Sequence, residues 1–206
     1  MARQQDAGTV VYWNNIIISL IIFVVLTLLV LYLPNMRQVD RNILHSIQLA
    51  LSPYSMAIPN AITDFGRANY MLWPQITVTS VLISHKKYLK AFLFIFMVQL
   101  AYVIVGMTKN FVCRERPCVY PGFSFPSGHS LTTMCLYGIV IYLILHYCKT
   151  DFWRYFLAVV FGVFIFLVAL SRLWLGVHFL SDVIAGLALG FLLVNLYIVL
   201  SKFFSR

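Results

Sequence analysis

Residues 16–33, IIISLIIFVVLTLLVLYL, decide the fold: eighteen residues without a charge. A run of this length approaches the roughly 20 apolar residues that carry a helix across a bilayer. It exceeds the apolar core of a signal peptide, and no small-x-small cleavage site follows it, so it reads as an uncleaved first span. Further apolar runs follow at about 70–84, 91–107, 131–147, 152–170 and 183–200. All are read as helices, because an open strand edge does not sit in hydrocarbon. The chain is 62% hydrophobic and 10% charged, against about 25% charged in soluble domains. Lipid is therefore the expected solvent. The expected fold is an all-α integral membrane protein, one domain over residues 1–206, with six transmembrane helices in a bundle.

The second run is short and contains Pro74, which a membrane helix tolerates when neighbours satisfy the freed carbonyl. It is expected to begin earlier, near Ile62, with Asp64 or Arg67 at its mouth. In the long connection over 34–60, Ile43, Leu44, Ile47 and Leu51 recur at helical spacing beside Arg41, His45 and Gln48. That pattern fits a short helix, either lying in the membrane interface or packed on the bundle.

Six spans put both termini on one side, and charge decides which. With cytoplasmic termini, that side holds Arg3, Lys86, Lys87, Lys90, Lys149, Arg154, Lys202 and Arg206. The opposite side holds Arg37, Arg41, Arg67, Lys109, Arg114, Arg116 and Arg172. Setting aside Lys109, Arg116 and Arg172, which have another task, the balance favours cytoplasmic termini. The net charge of +9 does not indicate nucleic-acid binding, because the basic residues sit in breaks between apolar runs and form no separate domain. Cys113 and Cys118 bracket one hydrophilic loop; a disulfide and two free thiols are both open there. Cys135 and Cys148 complete the cysteines, and no Cys-x-x-Cys pair occurs.

Three polar clusters interrupt the apolar sequence. The first is Lys109, six residues, then Arg116 and Pro117. The second is Pro126, Ser127, Gly128 and His129. The third is Ser171 and Arg172, five residues, then His178, three residues, then Asp182. On six spans all three share the face opposite the termini, and scattered structural polar residues would have no reason to do so. Lys109, Arg116 and Arg172 supply three cations, and arginine's planar fork matches phosphate oxygens. Ser127 and Gly128 precede a helical run, where amides point at an anion. His178 and Asp182 are four apart on one helix face, so the carboxylate can orient the imidazole. His129 stands beside the anion site as an acid for a leaving oxygen.

Singly these residues are ordinary. A histidine at a span end is usually interfacial, and Arg114, Glu115 and Arg116 alone read as a solvated loop. An aspartate one turn inside an apolar helix is costly and points to function. His178 and Asp182 have metal-ligand spacing, but three neighbouring cations would repel a metal, so no metal and no cofactor is expected. His45, His85 and His146 lie outside the clusters and receive no role.

The clusters, in this order and spacing, resemble the type 2 phosphatidic acid phosphatase family, among its small bacterial membrane members. Lys109, Arg116, Pro117, Pro126, Ser127, Gly128, His129, Ser171, Arg172, His178 and Asp182 match the family pattern without a departure. The resemblance implies a bacterial inner-membrane protein with an extracytoplasmic active site and metal-independent double displacement. His178 would be the nucleophile, Asp182 its orienter and His129 the acid. Lys109, Arg116, Ser127, Gly128 and Arg172 would hold the phosphoryl oxygens. The partners implied are the bilayer and a lipid phosphate substrate: undecaprenyl diphosphate, phosphatidylglycerol phosphate, phosphatidate or lipid A phosphate. Two other functions remain at this stage. A lipid phosphotransferase would use the same phosphohistidine. A binder or transporter of anionic lipids would need the cations but not the His178 and Asp182 pair. The anion site also resembles that of a soluble vanadium haloperoxidase, which the apolar runs disfavour. Sequence sets no oligomeric state.

Overall fold

Hydrophobic residues cover the outside of this chain as well as its core. The structure, a computed structural model, describes residues 2–52 and 54–204, with side chains from residue 10 onward. Arg206 and the side chain of Arg3, both counted in the charge balance, lie outside that set. Eight helices form among the described residues, with no strand: α1 Ala2–Tyr32, α2 Met36–Leu51, α3 Ala57–Asp64, α4 Ala68–Ser84, α5 Tyr88–Val112, α6 Gly128–Tyr147, α7 Asp151–Trp174 and α8 Leu180–Phe203. Five of them, α1 and α5 to α8, are long and apolar enough to cross a membrane. Along α1 the side chains of Ile17, Ile18, Ile21, Val24, Val25 and Leu28 are exposed, and only Ser19 is buried. A soluble protein does not leave an apolar patch of that size in water.

The second predicted run is α4. It starts at Ala68 rather than near Ile62, because Ile62 and Asp64 belong to the separate helix α3. Gly66 lies in that break against the His129 ring, where a Cβ would lie 2.5 Å from Cδ2 of His129. At 17 residues α4 is about 26 Å long, a little under the ~30 Å hydrocarbon core. It nevertheless runs from the start of α6, beside His129, to the end of α6, where Val81 and His85 share a cavity with Tyr147 and Cys148.

The helix in the 34–60 connection packs on the bundle. Leu44 is buried with Leu173, Phe179 and Val183, and Ile47 packs against the same cluster. Gln48 reaches across to donate to the Trp174 carbonyl at 3.4 Å. All four cysteines are free thiols, with Cys113 and Cys118 exposed.

The centre of the molecule is the contact of α6 with α8. Gly186 and Gly190 are four apart and lie against the backbone of α6. A Cβ on Gly186 would meet the Ser127 carbonyl at 2.5 Å, and one on Gly190 would meet the Leu131 carbonyl at 2.6 Å. Without water between helices, small residues that admit backbone contact are what hold spans together. Polar pairs assist: Asn15 donates to Asn195 at 3.1 Å and Gln99 to Gln75 at 3.3 Å. The close contact brings the start of α8, which carries Asp182, against the start of α6, which carries Ser127 and His129.

Candidate active site

The α6 N-terminus is capped by Ser127, whose hydroxyl accepts from the Ser130 amide at 3.4 Å. The Ser127 amide donates to the Asp182 carbonyl at 2.9 Å, so it is spent inside the protein. Of the amides expected to meet an anion at Ser127 and Gly128, that of Gly128 is one of the first donors of the helix, as is the amide of His129, and neither has a carbonyl a turn behind it. Ser127 serves by fixing this turn.

His178 lies in the short link between α7 and α8 and is buried, as is Asp182. Asp182 Oδ2 is 3.5 Å from His178 Nδ1, inside ion-pair range but too long for a hydrogen bond. That oxygen accepts instead from the Phe179 amide at 2.9 Å, closing the first turn of α8. The other imidazole nitrogen, Nε2, faces Arg116 Nη1 at 3.3 Å. Burial pushes His178 down to about 4; Asp182 opposes the shift, and the Arg172 and Arg116 charges add to it. The ring is therefore neutral at neutral pH, with a lone pair to offer. Burial likewise pulls the Arg116 guanidinium below its usual range.

The cations converge. Arg172, at the end of α7, is buried and bonds the Thr63 hydroxyl of α3. Lys109, at the end of α5, is within electrostatic reach of Arg116, Arg172 and Asp182. Lys109 Nζ donates to the Phe123 carbonyl at 2.8 Å. Arg116 donates to the carbonyls of Gly122 and Val177 at 3.2 and 3.1 Å. Both cations are thus held by carbonyls of the loop between α5 and α6 and of the link between α7 and α8. His129 Nε2 is buried with no hydrogen-bond partner among the described residues. An unpaired buried nitrogen is costly unless an incoming group completes it. Ser171, part of the sequence pattern, bonds back to the Val168 carbonyl of its own helix at 2.7 Å. Among the described residues, no three His, Cys, Asp or Glu side chains gather where they could hold a metal ion.

Sequence reasoning missed Arg114. It read as a solvated loop residue, yet its side chain is only 7% exposed. Its fork donates to Asp182 Oδ1 at 2.6 Å, to the Ser181 hydroxyl at 2.7 Å and to Asp40 Oδ2 at 2.7 Å. Asp40, on α2, is buried too and also accepts from the Ser181 hydroxyl. The guanidinium rests on the Phe179 ring, 4.3 Å from its centroid. Charge alone carried no signal for this, since Arg37 and Glu115 beside it do form an exposed pair at 2.6 Å. Gly66 and Thr63 were missed as well, because their part depends on distant contacts with the His129 ring and the Arg172 guanidinium.

A family model, that of the PAP2 superfamily, matches residues 90–206, which include every residue of the three clusters. Phosphatidylglycerophosphatase B of Bacillus subtilis (strain 168) is 27% identical over 182 residues, covering 85% of this chain and 90% of that protein. Lipid phosphate phosphatase delta of Arabidopsis thaliana is 30% identical over 83 residues, 39% of this chain and 20% of that one. Among solved structures, a transmembrane PAP2 type phosphatidylglycerolphosphate phosphatase from Bacillus subtilis superposes with a TM-score of 0.83 at 24% identity, covering 93% of this chain and 98% of that chain. LpxE of Aquifex aeolicus superposes with a TM-score of 0.57 at 21% identity, covering 75% and 93%.

Proposed function

We propose a mechanism and a substrate from the premise that this chain belongs to the PAP2 superfamily and is a membrane-embedded lipid phosphate hydrolase. The observation that carries the mechanism is the setting of His178, with Asp182 at one ring nitrogen and the Arg116 cation at the other. The neutral ring, its proton on Nδ1 toward Asp182, attacks phosphorus through Nε2. The bond from phosphorus to the lipid oxygen breaks, and His129 gives that oxygen its proton. The imidazolium formed at His178 is stabilised by Asp182. Water then attacks the phosphohistidine, His129 takes its proton, and phosphate leaves with His178 restored. Lys109, Arg116, Arg172 and the amides of Gly128 and His129 hold the phosphoryl oxygens as charge develops. The 3.5 Å contact of His178 with Asp182 tightens in the loaded enzyme, as catalytic contacts do. No metal is needed, because these cations supply the charge a metal would bring.

The spanning set is α1 and α4 to α8, six crossings of one domain. Both termini then lie at the end opposite the site. Lys86, Lys87, Lys90, Lys149 and Lys202 belong to that end, which supports a cytoplasmic location for it and an extracytoplasmic site. The first substrate to test is phosphatidylglycerol phosphate, because the relative of that activity matches over most of both chains. Undecaprenyl diphosphate, phosphatidate and lipid A phosphate follow. The test is phosphate release by purified protein in detergent with EDTA present, beside His178→Ala. Release by the wild type is expected, with loss on the order of 10⁴-fold or more in the variant. Undiminished release by His178→Ala would remove it as nucleophile. Transfer of label to a lipid alcohol instead of water would make the protein a phosphotransferase.

A further inference from the structure

At the end of the bundle opposite His129 and His178, α4 leans on α5 and leaves a cavity of about 580 Å³ beside α6. Its apolar lining includes Val78, Val81, Leu82, Val140, Leu143 and Ile144. Its rim is basic: His85, Lys87 and Lys149 line it, and Lys90 Nζ donates to the hydroxyl of the lining Tyr147 at 2.6 Å. Among the described side chains, no carboxylate offsets these charges. Asp151 is engaged by Arg154 at 3.1 Å, and the other carboxylates with described side chains, Asp40, Asp64, Glu115 and Asp182, belong to the site end.

A groove lined by hydrocarbon with unpaired ammonium groups at its mouth selects its occupant. A free anion gains nothing from the apolar walls. A zwitterionic lipid brings a cation of its own to the lysines. We propose that the groove is a binding site for one anionic phospholipid, its acyl chain lying between α4 and α6 and its phosphate held by Lys87 and Lys149. Basic pockets between spanning helices are where acidic headgroups settle. Lysine ammonium groups on flexible stems suit a headgroup of no fixed geometry. The site is separate from the phosphatase chemistry and stands or falls without it.

Cys148 lines the same groove and is a free thiol, which provides a local readout. Its rate of modification by N-ethylmaleimide is measured in nanodiscs, in a Cys113→Ser/Cys118→Ser background; Cys135 is fully buried. Discs of phosphatidylcholine are compared with discs containing increasing phosphatidylglycerol, and with phosphatidylcholine discs in inorganic phosphate. Phosphatidylglycerol should slow the reaction saturably, while the other two arms should not. In Lys87→Gln/Lys149→Gln the half-protecting fraction of phosphatidylglycerol should rise roughly 30-fold. Equal protection in pure phosphatidylcholine discs would reduce the groove to ordinary lipid solvation. Protection by phosphate alone would make it a plain anion site. Protection by phosphatidylglycerol that survives the double substitution would remove the lysines from it. Each of these three results overturns the proposal.

Discussion

The two ends of this bundle carry charge in opposite ways. At the histidine end Arg114, Arg172, Asp40 and Asp182 are buried, and each has a partner on another helix or loop. At the other end Lys86, Lys87 and Lys149 are exposed and Lys90 is half-buried, with Asp151 as the one carboxylate having a described side chain. Burial makes the difference. A charge removed from water must be met by its opposite or by good hydrogen bonds, so the site end is a network in which each member fixes another. An exposed lysine has water and is free to meet a ligand. On the proposed reading, one end holds reacting groups in place and the other receives a lipid.

The strongest way to break that contrast is Arg114→Ala. It strands two buried carboxylates, and breaking a buried pair from one side costs about 3–5 kcal/mol. Thermal unfolding in detergent should show the loss, and phosphate release should fall with it, because Asp182 loses its anchor. Arg114→Lys should recover only part, since one ammonium cannot reach Asp40, Ser181 and Asp182 as the fork does. A wild-type melting point for Arg114→Ala would show that the network holds nothing.

Asp182→Asn separates position from nucleophile. The amide keeps the shape and the ring keeps its lone pair, but the imidazolium loses its stabilising charge. We expect kcat to fall by roughly 10²–10⁴-fold with KM little changed. A rise in KM at constant kcat would make Asp182 a binding residue instead.

A pH profile sharpens the comparison further. His178 is held at about 4, while in the unfolded chain it titrates near its ordinary value of about 6.5. Between those values the unfolded chain binds the extra proton, so stability declines as pH falls from about 6.5 toward 4. Activity that needs the neutral ring should persist to the lower value. The Arg116 charge contributes to the depression, so Arg116→Gln should move the His178 titration upward, readable by NMR on ring-labelled protein. A downward move would contradict the 3.3 Å contact between them.

How much of this was legible in sequence follows the same division. The spans were legible because a bilayer imposes length and composition on each helix, so α1 and α5 to α8 can be read one at a time. The polar clusters were legible as candidates because a histidine or aspartate in apolar sequence is costly to keep and adds nothing to hydrocarbon packing. Arg114 and Asp40 were not, although 74 residues separate them in sequence and 2.7 Å in space. Each sits in a polar segment where charge is ordinary, and only packing of α2 onto the ends of α7 and α8 shows that water is excluded there. Gly66 escaped notice for a related reason: its meaning is the His129 ring beside it, a contact across 63 residues. The start of α4 was misread because Ile62 and Asp64 belong to the separate helix α3, which the apolar pattern does not divide from α4.

The smallest effect is expected from Lys87→Gln/Lys149→Gln, and its smallness carries information. Both side chains are exposed, so in detergent without added acidic lipid the melting point should correspond to wild type within about 0.5 kcal/mol. Phosphate release should also be unchanged, because the site lies at the far end of α6. The same two substitutions should matter only when phosphatidylglycerol is present, where the wild type gains the stability that binding confers and the variant does not. Melting curves of the pair, with and without that lipid, therefore measure the lysines by difference. If the variant melts early even in detergent alone, these lysines are part of the fold, and the contrast between a paired end and a free end fails at the end that was taken to be free.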